Sequence, residues 1–165
     1  DDFWPVRLWV ARALDGAGGD GTLAEHLAAL ALVDSEAPVR EEMARTLGSL
    51  GQQAIPSVRW LCERLLTAPP GEETCKRACA ALAGALHLAE VRHALAGGLE
   101  KLRHVAMERA MVVSVTDKDP RAAAAQKQEV MILEMQLLDD DFKLRLRALE
   151  TLHAFSVMGD APTKL

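Results

Sequence analysis

The chain has 165 residues, half of them hydrophobic, and a formal net charge of −5. That length suits a single domain with a real core, and the apolar half argues against a disordered chain. The acidic balance argues against a nucleic-acid partner, whose phosphates need a basic surface, and no apolar run approaches the ~20 residues of a membrane span.

The apolar content is mostly Ala and Leu, with three Phe, three Trp and no Tyr. This favours closely packed helices over sheet, which draws on Val, Ile, Thr and aromatics. The three cysteines, Cys62, Cys75 and Cys79, are an odd number without a secreted-domain spacing, so a reducing intracellular, cytoplasmic setting is expected. An opening without Met, straight into a repeat, points to a piece of something longer.

In chain order, a helix is predicted over 3–14, with Asp2 as its cap and Pro5 in the first turn, where a missing N–H costs little. The glycine-rich stretch 15–21 ends it. Thr22 is expected to cap a second helix, 22–33, with Leu23, Leu27, Leu30 and Val33 as its apolar stripe. The turn Asp34-Ser35-Glu36 leads into a third helix, 37–50, where Val39, Met43, Leu47 and Leu50 share a face and Gly51 stops the helix. A fourth helix is predicted over 53–67, with Val58, Leu61, Cys62, Leu65 and Leu66 inward. The run Ala68-Pro-Pro-Gly71 breaks it. Further helices are expected at 73–88, 90–104, 121–138 (with Val130, Leu133 and Leu137 as its apolar line) and 142–156, with a frayed tail over 157–165; 105–116 is read as a helix as well, against the strand-like β-branching of its Met-Val-Val-Ser-Val run at 111–115.

Residues 5–14, Pro-Val-Arg-Leu-Trp-Val-Ala-Arg-Ala-Leu, return 33 positions later as Pro-Val-Arg-Glu-Glu-Met-Ala-Arg-Thr-Leu, with six identities. A period of this size marks stacked supersecondary units. The pattern comes back with a shift of 36, where Cys75-Lys76 replaces Val39-Arg40, and again as Leu144-Arg145.

A turn carrying Asp, then Val-Arg, then an Ala four residues after the Arg: in this the chain resembles the HEAT repeat family, above all its short phycobilin-lyase-type variety. The stretch 37–51 followed by Ala54-Ile-Pro-Ser-Val carries the likeness best. The resemblance implies an all-α fold, a right-handed α-solenoid of antiparallel helix pairs, with about four to five repeats over 1–165. It makes 3–14, 37–50, 73–88, 105–116 and 142–156 the B helices, which line the concave face, and 22–33, 53–67, 90–104 and 121–138 the A helices. Asp34, Arg7, Arg40 and Arg145 become a structural ladder, in which arginines bond to the carboxylates of adjacent turns. Lys76 weakens that ladder locally, because lysine lacks the two-pronged fork.

The glycines at 16, 18 and 21 satisfy the dinucleotide fingerprint, but a helix precedes them and Asp15 and Asp20 would repel a pyrophosphate. Cys75 and Cys79 share a helix face and are half of a zinc site. Two more ligands, with His87 and His93 nearest in sequence, would be needed, and the repeat places both cysteines at core positions. The di-iron deoxyhypusine hydroxylases, also built from HEAT repeats, are marked by His-Glu dipeptides, and this chain has none. The DNA glycosylases built on HEAT-like repeats need a basic face with aromatics, which six aromatic residues and a negative charge do not provide.

Trp9 stands where Glu42 stands one repeat later, and Leu8 where Glu41 stands, both read as outward B-helix positions. With Arg45 these residues predict a protein-binding strip, apolar at Leu8 and Trp9 and acidic at Glu41 and Glu42. The expected function is thus a non-catalytic protein-interaction scaffold with no cofactor, metal, nucleic acid, membrane or small-molecule substrate. The alternative is a substrate-docking or lyase-like module attached to an enzyme.

Overall fold

The computed structural model describes residues 3–15, 17–67, 72–89, 91–92, 104 and 120–157, and among them all regular structure is helical. The helices are α1 (Trp4–Leu14), α2 (Gly21–Val33), α3 (Ala37–Ser49), α4 (Ile55–Thr67), α5 (Glu73–Ala85), α6 (Pro120–Leu137) and α7 (Phe142–Val157), with a 3-10 turn at Gly51–Ala54. The predicted helix 105–116 and the end of the tail lie outside the described residues, as does most of the predicted helix 90–104.

Local chemistry sets the helix ends. Pro5 and Pro38 each stand in the first turn of their helix, where the ring constrains the backbone at no cost in hydrogen bonds. The cap of α2 is Asp20, not Thr22: its Oδ1 accepts the Leu23 N–H at 3.0 Å. A carboxylate there also meets the positive end of the helix dipole, which a hydroxyl does not match. Gly51 ends the α3 region with φ of +58°, a left-handed conformation that a side chain would strain.

The core joins the helices in a row: α1 packs on α3, α3 on α5, and α5 on α7. To one side α2 packs on α3, α4 and α5, α4 packs on α5, and α6 packs on α7. Predicted core positions Val39, Met43, Leu47, Val58, Leu61, Cys62, Leu65, Val130, Leu133 and Leu137 are buried. The face of α2 differs from the prediction. It buries Ala24, Leu27, Ala28, Ala31 and Leu32, and leaves Leu30 and Val33 exposed. Alanines on this side let α2 approach α3 and α4 closely, which a leucine stripe would prevent.

The α3–α5 contact is closer still. A Cβ on Gly48 would lie 2.3 Å from the Ala85 carbonyl oxygen, and one on Gly84 would lie 2.8 Å from the Ala44 methyl carbon. Thr46 adds a polar tie between helices, its buried hydroxyl donating to the Ala11 carbonyl at 3.0 Å.

Candidate protein-binding surface

Arginines hold the turns in a recurring geometry. Arg40 Nη1 donates to the carbonyls of Asp34 and Ser35, six and five residues before it, at 2.7 and 2.9 Å. Arg145 Nη1 does the same to Asp139 and Asp140, at 2.9 and 2.8 Å. Arg92 Nη1 does so to Leu86 and His87, at 3.1 and 2.8 Å. In the first two turns the leading Asp also accepts the N–H two residues on: Asp34 from Glu36 at 2.9 Å, Asp139 from Asp141 at 2.8 Å.

Each clamp extends to a neighbouring element. Arg7 forks onto the Asp34 carboxylate at 2.8 and 3.0 Å, tying α1 to the α2–α3 turn. Arg145 Nε reaches the Ala83 carbonyl of α5 at 2.9 Å, and Arg92 Nη2 reaches Asp140 at 2.6 Å. The hydrogen bond from Arg7 holds the Asp34 carboxyl below its ordinary pKa, against the upward push of burial. Burial, then the nearby charge of Arg92, lowers the pKa of Arg145.

Arg7, Arg40, Arg145 and Asp34, the residues of the expected ladder, all lie at these turns. Arg40 and Arg145, however, take carbonyls of their own turns and not carboxylates, because a helix-start arginine folds back over the turn that precedes it. Arg92 was missed. Its signal was the dipeptide Val91-Arg92, hidden because it follows Val39-Arg40 by 52 residues, outside the 33–36 period.

The predicted strip is brought together at the α1–α3 seam, though its residues do different things there. Trp9 is 68% exposed, with the Arg12 guanidinium 5.9 Å from its ring centroid. Leu8 is half-buried against the core and Glu41 is exposed. Glu42 is not outward: its side chain is only 13% exposed, because α1 lies over it. It pairs with Arg45 and, at 3.7 Å, with Arg12. Arg45 also meets Asp15 at 2.9 Å. The hydrogen bond from Glu42 raises the Arg45 pKa. This gives a fixed ionic cluster, Asp15–Arg45–Glu42–Arg12, running up to an aromatic ring that caps it.

The other candidates sort differently. Cys62, Cys75 and Cys79 are free and buried. Burial pushes the Cys62 thiol up to about 12 and raises that of Cys79 as well. Cys75 Sγ lies 3.2 Å from Nδ1 of His153 on α7, a partner not foreseen from sequence. Among the described residues no group of three or more His, Cys, Asp or Glu is placed to hold a metal ion, and His93 lies outside them. Gly18, with φ of +73°, shapes the link between two helices, and Gly21 opens α2. Between α2 and α4 a groove of ≈ 330 Å³ is walled by Trp60 over Ala28, Ala29 and Pro56. No described helix is long and apolar enough to cross a membrane.

No protein-family model, curated protein or solved structure matches this chain.

Proposed function

We propose that the chain is a segment of a HEAT-like, right-handed α-solenoid of antiparallel helix pairs, working inside the cell as a non-catalytic scaffold that binds a protein partner. The row α1–α3–α5–α7, with α2 and α4 to one side, supports the assignment of α1, α3, α5 and α7 as B helices. So does the arginine clamp, which repeats a turn-fixing device along the chain. Three buried thiols that form no disulfide support the intracellular setting.

The observation that carries the binding role is Trp9, a large ring 68% exposed beside a pre-formed ionic cluster. Exposed tryptophan in a rigid frame is the usual composition of an interaction anchor, because little entropy is lost when it is covered. The test is affinity capture with the wild-type chain and with Trp9→Ala from extracts of its own cells, followed by titration of the captured protein. Loss of the Trp9 ring should weaken binding by ~2 kcal/mol or more at unchanged melting temperature. Glu41→Lys, which leaves the buried Glu42 pairs intact, should mainly slow association and alter its salt dependence. Two variants that fold normally and bind like wild type would remove this surface from the reading.

A further inference from the structure

The α3–α5 crossing has an ionisable ring set into it. Gly48 leaves a notch on α3, and the imidazole of His87, two residues past the end of α5, fills that notch. A Cβ on Gly48 would lie 2.7 Å from Nδ1 and 2.9 Å from Cε1 of the ring. Nδ1 is 3.1 Å from the Gly84 carbonyl oxygen. A carbonyl only accepts, so Nδ1 carries the hydrogen of the neutral ring and Nε2 is left as a bare acceptor. Among the described residues nothing hydrogen-bonds to Nε2.

Charges face the ring from every side of the crossing. Arg45 of α3 and Arg145 of α7 act on it as cations, and Asp15, just past α1, acts as an anion. Arg92 takes the His87 carbonyl at 2.8 Å. A positive ring would gain from the Gly84 bond, from Asp15 and from the carbonyl end of α5, where a helix dipole favours a cation. Against this stand the two arginines and the loss of water around a half-buried ring pressed to the α3 backbone. The opposition wins, with burial the largest influence, and the folded chain holds the His87 pKa below its ordinary value.

We propose that His87 is an acid-sensitive latch on the α3–α5 crossing. Neutral, the ring seals the notch at Gly48. Protonated, it leaves the notch to reach water, and the C-terminal ends of both helices loosen. The charged ring cannot be hydrated where it sits, because the α3 backbone lies against it, and it gains a second N–H on Nε2 with no acceptor at hand. The unfolded chain titrates at the ordinary imidazole value of about 6.5 and binds the proton first. The latch is therefore fully closed above that value and gives way as pH falls through it and then through the folded value.

The test compares melting of wild type and His87→Gln at pH ~7.5 and ~5.5; the glutamine amide can donate to Gly84 but does not ionise. Over this range wild type should lose ~3 °C or more beyond any loss in His87→Gln. Amide exchange, corrected for its intrinsic pH dependence, should quicken ~10-fold more in wild type than in the variant across 44–50 and 82–87, and equally in both across 24–32. Parallel melting curves overturn the proposal, because the acid loss then belongs to another group, such as the buried His153. Extra quickening spread evenly over all three segments overturns it too, since the crossing then does not open by itself. If His87→Gln does not fold, the ring of the wild-type chain decides by magnetic resonance. Its Cε1–H signal should titrate with a midpoint below that of histidine in a short peptide, and the amides of residues 46–49 should move with the same midpoint. A midpoint at or above the peptide's, or amides at 46–49 that do not follow it, removes the latch.

Discussion

Arg145 carries the heaviest load of any single side chain described. It is 2% exposed and donates to three carbonyls on two elements. Arg145→Ala would strand those acceptors and is expected to cost ~2–4 kcal/mol by urea denaturation. Arg145→Lys should recover less than half, since one ammonium cannot span both sites. Arg40→Ala should cost ~1–3 kcal/mol and Arg45→Ala less than ~1 kcal/mol, because Arg45 pairs at a half-exposed site. Asp34 gives a pH signature. Its pKa is depressed in the folded chain, chiefly by the bond from Arg7, so the unfolded chain binds the proton more readily. Its contribution is complete above the ordinary carboxylate range and fades as pH falls through the folded value. Below pH ~4 the wild-type melting temperature should therefore drop more steeply than that of Asp34→Asn, and the two curves should converge. Arg7, Arg40 and Arg145 were legible because an apolar residue followed by Arg stands at the start of each of their helices, as Val6-Arg7, Val39-Arg40 and Leu144-Arg145. Their acceptors were not, since sequence does not show which way a guanidinium folds.

At the scale of elements, the α3–α5 contact is the tightest crossing described. Alanine would normally improve a helix over glycine by ~1 kcal/mol. At Gly48 the sign should invert, because the added carbon meets a backbone oxygen at 2.3 Å that cannot step aside. Gly48→Ala is expected to lower stability by ~2 kcal/mol or more, read by thermal denaturation. Gly84→Ala should cost less, because it meets only the Ala44 methyl, at 2.8 Å. Helix positions were readable from capping, proline placement and breakers. The buried face of α2 was not. Its sequence is apolar nearly all round, so periodicity cannot pick a side; the neighbours decide, and they select alanines. Glu42 misled for a related reason. A charged residue reads as solvent-facing, yet two arginines and the covering helix α1 hold it in the seam.

In the whole molecule, α1 rests chiefly on α3 and is latched by Arg7 to Asp34, whereas α5 touches α2, α3, α4 and α7. Opening should therefore begin at α1. Arg7→Ala is expected to speed amide hydrogen exchange at least ~10-fold across 4–14 while leaving 73–85 unchanged, a local release measurable by mass spectrometry. Equal acceleration in both segments would mean that the row opens as one unit. The half-buried seam that ties α1 to α3 was not legible in the sequence, because it depends on pairs 30 residues apart, Arg12–Glu42 and Asp15–Arg45, a spacing that the 33-residue period does not point to. The three clamps have one more consequence, for sequence latitude. An arginine that recognises main-chain oxygens is indifferent to the side chains those residues carry. Ser35, exposed in its turn, can thus be exchanged freely as far as the clamp is concerned, and a library randomised at this position should fold nearly as often as the parent, whereas His87 is held by its ring, whose Nδ1 lies 3.1 Å from the Gly84 carbonyl. Turn shape and turn identity are decoupled here, which leaves the rim of the molecule open to new recognition chemistry without rebuilding its frame.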